Sequence, residues 1–425
     1  MIAAMAGSHP SVQKAGFTGN SFKPGLENMR ALARRMGNPE GKFRSIHIAG
    51  TNGKGSVSSM LAASLAARGL KVGLYTSPHL VDFRERIKII DGRSSGGLSS
   101  EMISEEGVCS FLKEYDDPDL SFFEITTGMA FRWFAMQEVD AAVIEVGLGG
   151  RLDSTNIITP ELSVITSIGL DHCAILGSSR SAIAREKAGI FKPGVPALVW
   201  GHDDETDPVF EECASQVHCP LFYADELAEG PSENFLESLD LQGPCQEMNV
   251  RTVEAALELL GMETDTEVLA STARITGFRG RWEKLQDSPE VICDIGHNPP
   301  ALEVNFRRLR TLGRPLVIVY GIMADKDLDG IAPLMPSGAE YILAAPSTER
   351  SLDVESLHAR LSALRPDLSL RTAPSVAEAV REALDIAAGL DNPLVYIGGS
   401  TFVVAEAIGV PDKLLQLKSS FIVTT

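Results

Sequence analysis

The sequence predicts a parallel α/β fold in two domains, and three observations support this prediction. Short apolar runs of strand length alternate with helical patterns along most of the 425 residues. A glycine-rich loop lies between the first of these strands and the helix that follows it. After a segment rich in Gly, Arg and Asp at 277–290 the strand–helix pattern starts again, so we place a domain boundary near 285. The second domain would then hold about 140 residues, a common domain size.

The individual elements follow from the same pattern. In the first domain it predicts strands at 46–49, 72–75, 141–145, 162–166 and 197–200, and a helix at 56–68. In the second domain it predicts strands at 291–294, 316–320, 341–344 and 394–397, with helices between them. No apolar run reaches the roughly 18 residues that a membrane span needs. The opening MIAAMAGSHPS lacks the basic region and the apolar core of a secretory signal.

The charge balance argues against two classes of partner. The chain has 38 Lys and Arg against 57 Asp and Glu, a net charge of −19. Nucleic acids and anionic membranes are bound through clustered cations, so we expect neither as a partner. Small anionic substrates stay compatible, because they respond to the local field of a site. The six scattered cysteines favour a reduced, cytoplasmic protein, which we expect to be a monomer. His218 beside Cys219 is the one hint of a zinc cluster.

The loop IHIAGTNGKGSVSSML has the composition of a phosphate-binding turn. Gly50, Gly53 and Gly55 let the backbone approach an anion at which the amides of the next helix point. Lys54 adds a positive charge, and Ser56 can offer its hydroxyl to a magnesium ion. The spacing differs from GxxxxGK[ST], and the alternative is a glycine turn with an N-capping serine. The position between a strand and a helix favours nucleotide binding.

Polar residues follow several predicted strands of the first domain. Ser77 follows the second strand and Glu145 ends the third, while Asp171 and His172 come after the fourth. Ligands of parallel sheets collect at the carboxyl ends of strands, so we expect a metal site beside the phosphate loop. Each residue has an ordinary alternative: a turn cap for Ser77, an ion pair for Glu145 and a loop contact for His172. Magnesium prefers oxygen ligands and histidine is more typical of zinc or manganese, so these residues alone leave the metal open.

Several motifs follow one another along the chain: HIAGTNGKGSV, TSPHL, FRERI, SFFEITT, EVGLGGRLDSTN, TSIGLDH, REKAGIFKPG, GRWE, CDIGHNP and YGIMADKD. In this order they resemble the motifs of the folylpolyglutamate synthase/dihydrofolate synthase family, a branch of the Mur ligase superfamily. GTNGKGS alone is common to the superfamily, whereas TSPHL followed by ERI, together with EVGLGGRLDSTN, is specific to the folate branch. The resemblance covers residues 22–401, nearly the whole chain.

The resemblance implies both a fold and a reaction. It implies a P-loop-type parallel-sheet ATPase domain over residues 1–285 and a smaller, Rossmann-like glutamate ligase domain over 286–425. The implied enzyme is an ATP-dependent ligase of folate biosynthesis. It would join L-glutamate to dihydropteroate or to the terminal glutamate of a folate through an acyl phosphate, with release of ADP and phosphate. Because the pterin-contact segments are present, we expect one chain to carry both activities, with ATP as co-substrate and Mg²⁺ as the metal.

The resemblance also implies residue roles at the nucleotide. Contacts to the triphosphate would come from Gly53, Lys54, Gly55 and Ser56. Magnesium contacts would come from Ser56, Ser77, Glu145 and His172. Further ATP contacts would come from Asn249, Arg281 and Asp294.

Three residues are implied to be catalytic, namely Lys54, Lys187 and His297. Lys187 in REKAGIFK matches a lysine that is carbamylated in the superfamily and helps to hold a second magnesium ion. Its alternative is a lysine at a helix end beside a C-capping Gly189, where the helix dipole favours a cation. His297 in GHNP would lie near the phosphates.

Two segments match regions that contact the pterin in dihydrofolate-forming members. They comprise Ser121, Phe122, Phe123, Glu124, Leu152, Asp153 and Ser154. Phe122 and Phe123 could stack on a flat pterin, or they could be core residues of a strand.

Two other functions compete with this one. A Mur-type ligase acting on a nucleotide-linked peptidoglycan precursor would need a domain for the UDP group before the phosphate loop, and we expect the 49 residues before Gly50 to be too few. A nucleotide-gated binding protein without ligase activity would lack equivalents of Glu145, His172 or Lys187, and all three are present.

Overall fold

The computed structural model describes residues 25–94, 97–115, 117–243 and 245–409. These residues form two compact units that divide between Phe278 and Arg279, in the same linker segment as the boundary predicted near 285. A short stretch beginning at Gln242 belongs with the second unit. The start of the chain that we judged not to be a secretory signal, and the first residues of the family resemblance at 22–24, lie outside the described residues.

Strands and helices alternate along the first unit. Its strands are β1 (Arg44–Ala49), β2 (Lys71–Tyr75), β3 (Ile87–Asp91), β4 (Ser99–Met102), β5 (Ala141–Glu145), β6 (Leu162–Ile165), β7 (Ala197–Val199) and β8 (Leu221–Tyr223). Its helices are α1 (Glu27–Arg35), α2 (Lys54–Ala66), α3 (Glu105–Tyr115), α4 (Phe122–Met136), α5 (Cys173–Leu176), α6 (Arg180–Ala188), α7 (Asp207–Val217), α8 (Ala224–Leu227), α9 (Glu233–Ser238), α10 (Gln246–Leu259), α11 (Thr266–Ala270) and α12 (Thr272–Thr276). Short 3₁₀ helices occur at Pro39–Gly41, Phe83–Arg86 and Ser154–Ile157.

The strands of this unit form an eight-stranded sheet in the order β4-β3-β2-β5-β1-β6-β7-β8. Strands β2, β5, β1, β6, β7 and β8 are parallel, whereas β3 and β4 run antiparallel to their neighbours β2 and β3. The register pairs Ile48 with Glu145 and Ala49 with Ile165, so β5, β1 and β6 end at the same level. The loops that follow these three strands therefore meet at one edge of the sheet, where parallel sheets bind ligands.

Apolar side chains cover both faces of this sheet. On one face Ile48 of β1 belongs to a buried cluster with Leu61 of α2. On the other face Ile144 of β5 is buried in a cluster with Phe131 of α4. Because helices bury both faces, the central strands are almost entirely apolar, which is why their sequence pattern identified them.

The second unit is a smaller α/β sheet of the same kind. Its strands are β9 (Glu283–Asp287), β10 (Glu290–Cys293), β11 (Leu316–Tyr320), β12 (Glu340–Leu343), β13 (Ser369–Thr372) and β14 (Leu394–Gly398). Its helices are α13 (Pro299–Thr311), α14 (Leu328–Ile331), α15 (Val354–Leu364), α16 (Val376–Ala387) and α17 (Thr401–Ile408), with a 3₁₀ helix at Ala332–Leu334. The strand order is β13-β12-β11-β14-β10-β9, and only β9 is antiparallel to its neighbour. The predicted parallel α/β fold is thus confirmed in both units.

The predicted strands are all present, with bounds that differ by at most two residues. The predicted helix at 56–68 is α2, which begins at Lys54. Strands β3, β4, β8, β9 and β13 were missed, and four of these five lie at sheet edges. Within the described residues, no helix combines the length and the apolar character that crossing a bilayer requires.

Candidate functional site

The loop between β1 and α2 has the geometry of an anion-binding turn. Gly53 has a φ of 90°, a left-handed conformation that glycine adopts without strain. A β-carbon at this position would come within 2.4 Å of Asn249 Oδ1, so a larger residue has no room. Gly53 is also the N-cap of α2 and has no side-chain oxygen to offer the first-turn amides. A bound anion could satisfy these amides, and the helix dipole favours it.

The segment at 166–169, directly after β6, holds this loop in place. The Thr166 hydroxyl donates to the carbonyl of Asn52 at 2.7 Å, and the amide of Thr51 donates to the carbonyl of Ser167 at 2.7 Å. The amide of Gly169 donates to the Thr51 hydroxyl at 3.1 Å. We did not predict these residues as part of the site. The available signal was the run TSIG, which places two hydroxyls directly after an apolar strand.

Two lysines approach the phosphate loop. Lys54, the first residue of α2, donates from Nζ to the carbonyl of Thr51 at 3.1 Å. Lys187, in the last turn of α6, is only 4% exposed and donates from Nζ to the carbonyl of Gly50 at 2.7 Å. Its side chain is thus directed into the fold, against the loop.

The environment of Lys187 makes it an unusually weak base. Burial lowers the pKa of its amine to about 7, and the positive charge of Lys54 contributes to this decrease. The carboxylates of Asp171 and Asp153 oppose the shift. A large fraction of the Lys187 side chains is therefore uncharged near neutral pH, and an uncharged amine is a nucleophile.

The carboxylate of Glu145 lies beside the start of α2. It is 2% exposed, and its Oε2 accepts a hydrogen bond from the amide of Ser77 at 3.1 Å. A β-carbon at Gly55 would come within 3.5 Å of the same oxygen. The strand ends of β2 and β5 and the first turn of α2, which also carries Ser56, thus come together.

The predicted metal ligands are suited to a hard divalent cation. Glu145 supplies a carboxylate, and Ser56 and Ser77 supply hydroxyls, which are the oxygen donors that magnesium and manganese accept. His172 is in a different setting: it precedes α5 with a φ of 51°, and 42% of its side chain is exposed. Its Nε2 lies 3.9 Å from Asp171 Oδ1. The buried part of the candidate metal site is therefore built from oxygen donors, with His172 on a surface loop.

Asn249 is the predicted ATP contact that lies in the first unit. It is 6% exposed on α10, its Nδ2 donates to Gln246 Oε1 at 2.9 Å, and its Oδ1 faces Gly53. The structure thus places Asn249 at the phosphate loop.

The predicted pterin segments lie next to each other in the fold. Phe122 and Phe123 form the first turn of α4, so their interpretation as strand residues was wrong. Ser121 caps this helix: its hydroxyl accepts from the amide of Glu124 at 3.2 Å, and Glu124 Oε2 accepts from the amide of Ser121 at 2.7 Å. Ser154 reaches α4 through a hydrogen bond of 2.7 Å between its hydroxyl and that of Thr127. A structural role therefore accounts for the residue types of Ser121 and Glu124.

Asp153, which follows Leu152 in the second pterin segment, organises the loop after β5. Its Oδ2 accepts from the amides of Gly147 at 3.0 Å and Leu148 at 2.9 Å. Its Oδ1 accepts from the amide of Thr155 at 3.0 Å and from the Thr155 hydroxyl at 2.5 Å. Burial nevertheless raises the pKa of this carboxyl, and the hydrogen bonds partly offset the shift. Asp153 thus holds the backbone of the GLGGRLD loop.

The other predicted residues, Arg281, Asp294 and His297, belong to the second unit. Asp294 follows β10, and its carboxylate accepts from the amides of Trp282 at 3.0 Å and Gly296 at 2.7 Å and from Asn305 Nδ2 at 2.6 Å. Nδ1 of His297 lies 3.0 Å from the carbonyl of Ile295, and Arg281 Nη1 donates to the carbonyl of Gly280 at 3.3 Å. Asp294 therefore connects β10 with the segment that opens the second unit.

Comparison with known proteins gives matches over nearly the whole chain. The family described as "Mur ligase, glutamate ligase domain" matches residues 280–401. The dihydrofolate synthase/folylpolyglutamate synthase of Buchnera aphidicola subsp. Schizaphis graminum is 31% identical over 409 residues, which cover 92% of this chain and 94% of the relative.

Solved structures are similar over the same extent. E. coli FolC in complex with DHPP and ADP has a TM-score of 0.80 at 30% identity, covering 93% of this chain and 95% of that chain. The bifunctional folylpolyglutamate synthase/dihydrofolate synthase from Yersinia pestis, complexed with AMPPNP and Mn ion, has a TM-score of 0.79 at 29% identity, covering 91% of this chain and 93% of that chain. Sequence and fold therefore point to the same relatives.

Proposed function

This chain belongs to the dihydrofolate synthase/folylpolyglutamate synthase family, and we propose that it catalyses both reactions in that name. It is an ATP-dependent ligase that joins L-glutamate to a folate. The observation that carries this proposal is structural: Lys54, Glu145 and Lys187 all lie around one glycine loop. Both reactions would use this arrangement, with dihydropteroate or a folylglutamate as the acceptor.

The phosphate loop would bind the triphosphate of ATP. The first-turn amides of α2 and the Lys54 ammonium group would contact its oxygens, and Asn249 beside Gly53 would contact the nucleotide from α10. Mg²⁺ would be held by Glu145 with Ser56, Ser77 and His172, and it would supply charge neutralisation between two anionic reactants. Arg281, Asp294 and His297 are proposed as contacts from the second unit, which matches a glutamate ligase domain.

The reaction requires two steps with opposite demands on the site. An oxygen of the acceptor carboxylate would attack the γ-phosphorus of ATP, and the bond to ADP would break, which gives an acyl phosphate. The glutamate amine would then attack the acyl carbon, lose a proton and expel inorganic phosphate. The first step brings two anions together, so the cations at the loop would contribute most. The second step needs an oriented amine and protection of the acyl phosphate from water.

We propose that Lys187 is carbamylated in the active enzyme. The uncharged amine would attack carbon dioxide, and loss of a proton would leave a carbamate with one negative charge. A pKa of about 7 supplies the nucleophilic form at neutral pH, and burial would shield the product from acid. The carbamate would provide oxygen donors for a second Mg²⁺.

Carbamylation can be tested by removing carbon dioxide. We expect activity to fall in degassed buffer and to return on addition of bicarbonate. The matched control is K88M, because Lys88 is also a buried lysine and donates to the carbonyls of Thr276 at 2.9 Å and Gly277 at 3.0 Å. This variant should keep the bicarbonate response of the wild type. A wild-type enzyme that is indifferent to carbon dioxide would rule out the modification.

The proposed location is the cytoplasm, and the proposed state is a monomer. All six cysteines lie in the described residues and none forms a disulfide, in keeping with a reducing compartment. Light scattering of the purified chain would measure the oligomeric state.

The function is tested by offering each acceptor separately. The full chain is incubated with ATP, Mg²⁺ and L-glutamate, and either dihydropteroate or tetrahydrofolate is added. Mass spectrometry should show a gain of one glutamate on both acceptors. A gain on one acceptor alone would reduce the proposal to a single activity, and no gain on either by folded protein would overturn it.

A further inference from the structure

Arg86 is a buried cation that none of the roles above uses. It ends the 3₁₀ helix Phe83–Arg86 and is 1% exposed. Burial lowers the pKa of its guanidinium group, and the nearby groups Tyr75, Glu145 and Glu85 oppose this shift. A buried cation destabilises a fold unless hydrogen bonds and counter-charges compensate for its lost hydration. The presence of a buried arginine at this position therefore needs an explanation.

Ser77 lies in the segment 76–79, and Arg86 forms a hydrogen bond with each end of this segment. The carbonyl of Arg86 accepts from the amide of Thr76 at 3.0 Å, and Arg86 Nε donates to His79 Nδ1 at 2.8 Å. A guanidinium group can only donate, so His79 Nδ1 is the acceptor of this hydrogen bond. Within this segment the amide of Ser77 donates to Glu145. Arg86 thus supports the metal side of the proposed site.

The guanidinium group also contacts the proposed acceptor side. Its carbon lies 5.2 Å from the ring centroid of Phe122 and 5.9 Å from that of Phe123. The Phe123 ring in turn covers Gly147 on the GLGGRLD loop, where a β-carbon would come within 2.8 Å of it. Cations stack favourably on aromatic faces, and the planar arginine group suits this geometry better than an ammonium group.

One donor of Arg86 is not satisfied. Nη1 is buried and has no hydrogen-bond partner among the residues that the structure describes. An apolar side chain of similar volume would avoid both the desolvation of the charge and the unpaired donor. A role in stability alone does not explain why an arginine occupies this position.

We propose that Arg86 is a positioning residue for the ligation, which couples the Ser77–Glu145 side of the site to the aromatic turn that receives the acceptor. By bonding His79 and stacking on Phe122 and Phe123 at once, it sets the distance between the metal ligands and the acceptor. The inference rests on the proposed function, because it assigns the acceptor to this turn.

The test compares R86K with the neighbouring substitution R84K. Lysine keeps the charge but cannot bond His79 and stack on two rings together. We expect R86K to raise the KM for dihydropteroate and tetrahydrofolate about tenfold and to lower kcat about tenfold. The KM for glutamate should stay near the wild-type value. Arg84 forms a local ion pair with Asp82, so R84K should leave all of these parameters near wild type.

A second pair of variants leaves the buried cation in place. H79N keeps an acceptor for Arg86 Nε, whereas H79L removes it. We expect H79L, and not H79N, to reproduce the rise in acceptor KM. Titration of Mn²⁺ in the presence of AMPPNP should show weaker metal binding in H79L and wild-type binding in H79N. These variants decide the question if the Arg86 variants do not fold.

The outcomes separate the inference from the function on which it rests. A wild-type enzyme that glutamylates neither acceptor overturns the proposed function. An active wild type whose R86K and H79L variants have normal acceptor KM and metal affinity, or lose thermal stability alone, overturns the role of Arg86. A linked rise in acceptor KM and loss of Mn²⁺ affinity supports it.

Discussion

The two sheets place an acidic residue at comparable positions but use it differently. Glu145 ends β5 of the first sheet, and Asp294 directly follows β10 of the second. Asp294 accepts three hydrogen bonds from its own unit. Glu145 accepts from Ser77 and faces the start of α2, a region of positive potential. A strand end thus predicts where a ligand can bind, whereas the surrounding donors and dipoles decide whether a carboxylate there binds ligands or stabilises the fold.

The largest expected effect is at the phosphate loop, which lies at the ligand-binding edge of the first sheet. K54A removes the charge at the phosphate loop, and we expect ADP formation to fall about 10⁴-fold with an intact fold. A coupled assay measures ADP, and circular dichroism measures the fold. K42A, at an exposed lysine before β1, is the control and should keep full activity. Wild-type turnover by K54A would contradict the role of the loop.

K187M removes the amine of Lys187 at the same edge and so tests the free-energy cost of burying its charge. The pKa of Lys187 is about 7 in the fold against 10.5 for the ordinary group. Below pH 7 both folded and unfolded chains carry the charge, so the fold bears the full cost of burying it. Between pH 7 and 10.5 the unfolded chain binds more protons, so this cost disappears as the pH rises.

The stability of K187M should therefore depend on pH. In buffer without carbon dioxide, K187M should be more stable than wild type by about 4 kcal/mol at pH 6, and this gain should vanish near pH 11. Urea unfolding at several pH values measures the difference. A gain that does not vary with pH would show that Lys187 has an ordinary pKa in the fold.

E145Q keeps the shape of the side chain and removes its charge. We expect kcat to fall about 100-fold and Mn²⁺ to bind more weakly, because the amide is a poor ligand for a divalent cation. The melting temperature should stay within a few degrees of the wild type. A strong loss of stability with normal metal binding would show that Glu145 stabilises the fold, as the hydrogen bonds of Asp294 do.

D294N should differ from E145Q by destabilising the fold. The amide group of asparagine would point a donor at one or more of the three donors that now contact the carboxylate. We expect a loss of stability of about 2 kcal/mol, measured by urea unfolding. Because Asp294 is also a proposed ATP contact, the KM for ATP should rise in the folded variant, and an unchanged KM would leave Asp294 with its structural role alone. A raised KM for ATP at normal stability would support the ATP contact predicted from the sequence.

The smallest expected effect concerns the cap of α4. S121A removes the hydroxyl that accepts from the backbone amide of Glu124, and we expect a loss of about 1 kcal/mol in stability. S121D keeps a capping oxygen and should restore this stability. If Ser121 also contacts the pterin, as the family resemblance implies, S121D will raise the KM for dihydropteroate while its stability is normal.

The sequence pattern located every interior strand except β3, but it located none of the strands at the edges of the sheets. Interior strands are buried on both faces, so they form apolar runs that can be recognised without a structure. The edge strands β4 (SSEM), β9 (EKLQD) and β13 (SLRT) are polar, because one side of each faces solvent. Their assignment as strands depends on a neighbour to which they bond, and a single segment of sequence does not contain that information.

For the site, the sequence by itself determined the phosphate loop, the strand-end residues Ser77 and Glu145, and the family. These features depend on local order along the chain, since a strand, a glycine turn and a helix are consecutive. The tertiary structure alone decided how residues far apart in sequence are used. It buried Lys187 against Gly50, which lowers the pKa of its amine, and it surrounded Asp294 with donors. Desolvation and hydrogen-bond partners are properties of packing, so residue type and spacing do not reveal them.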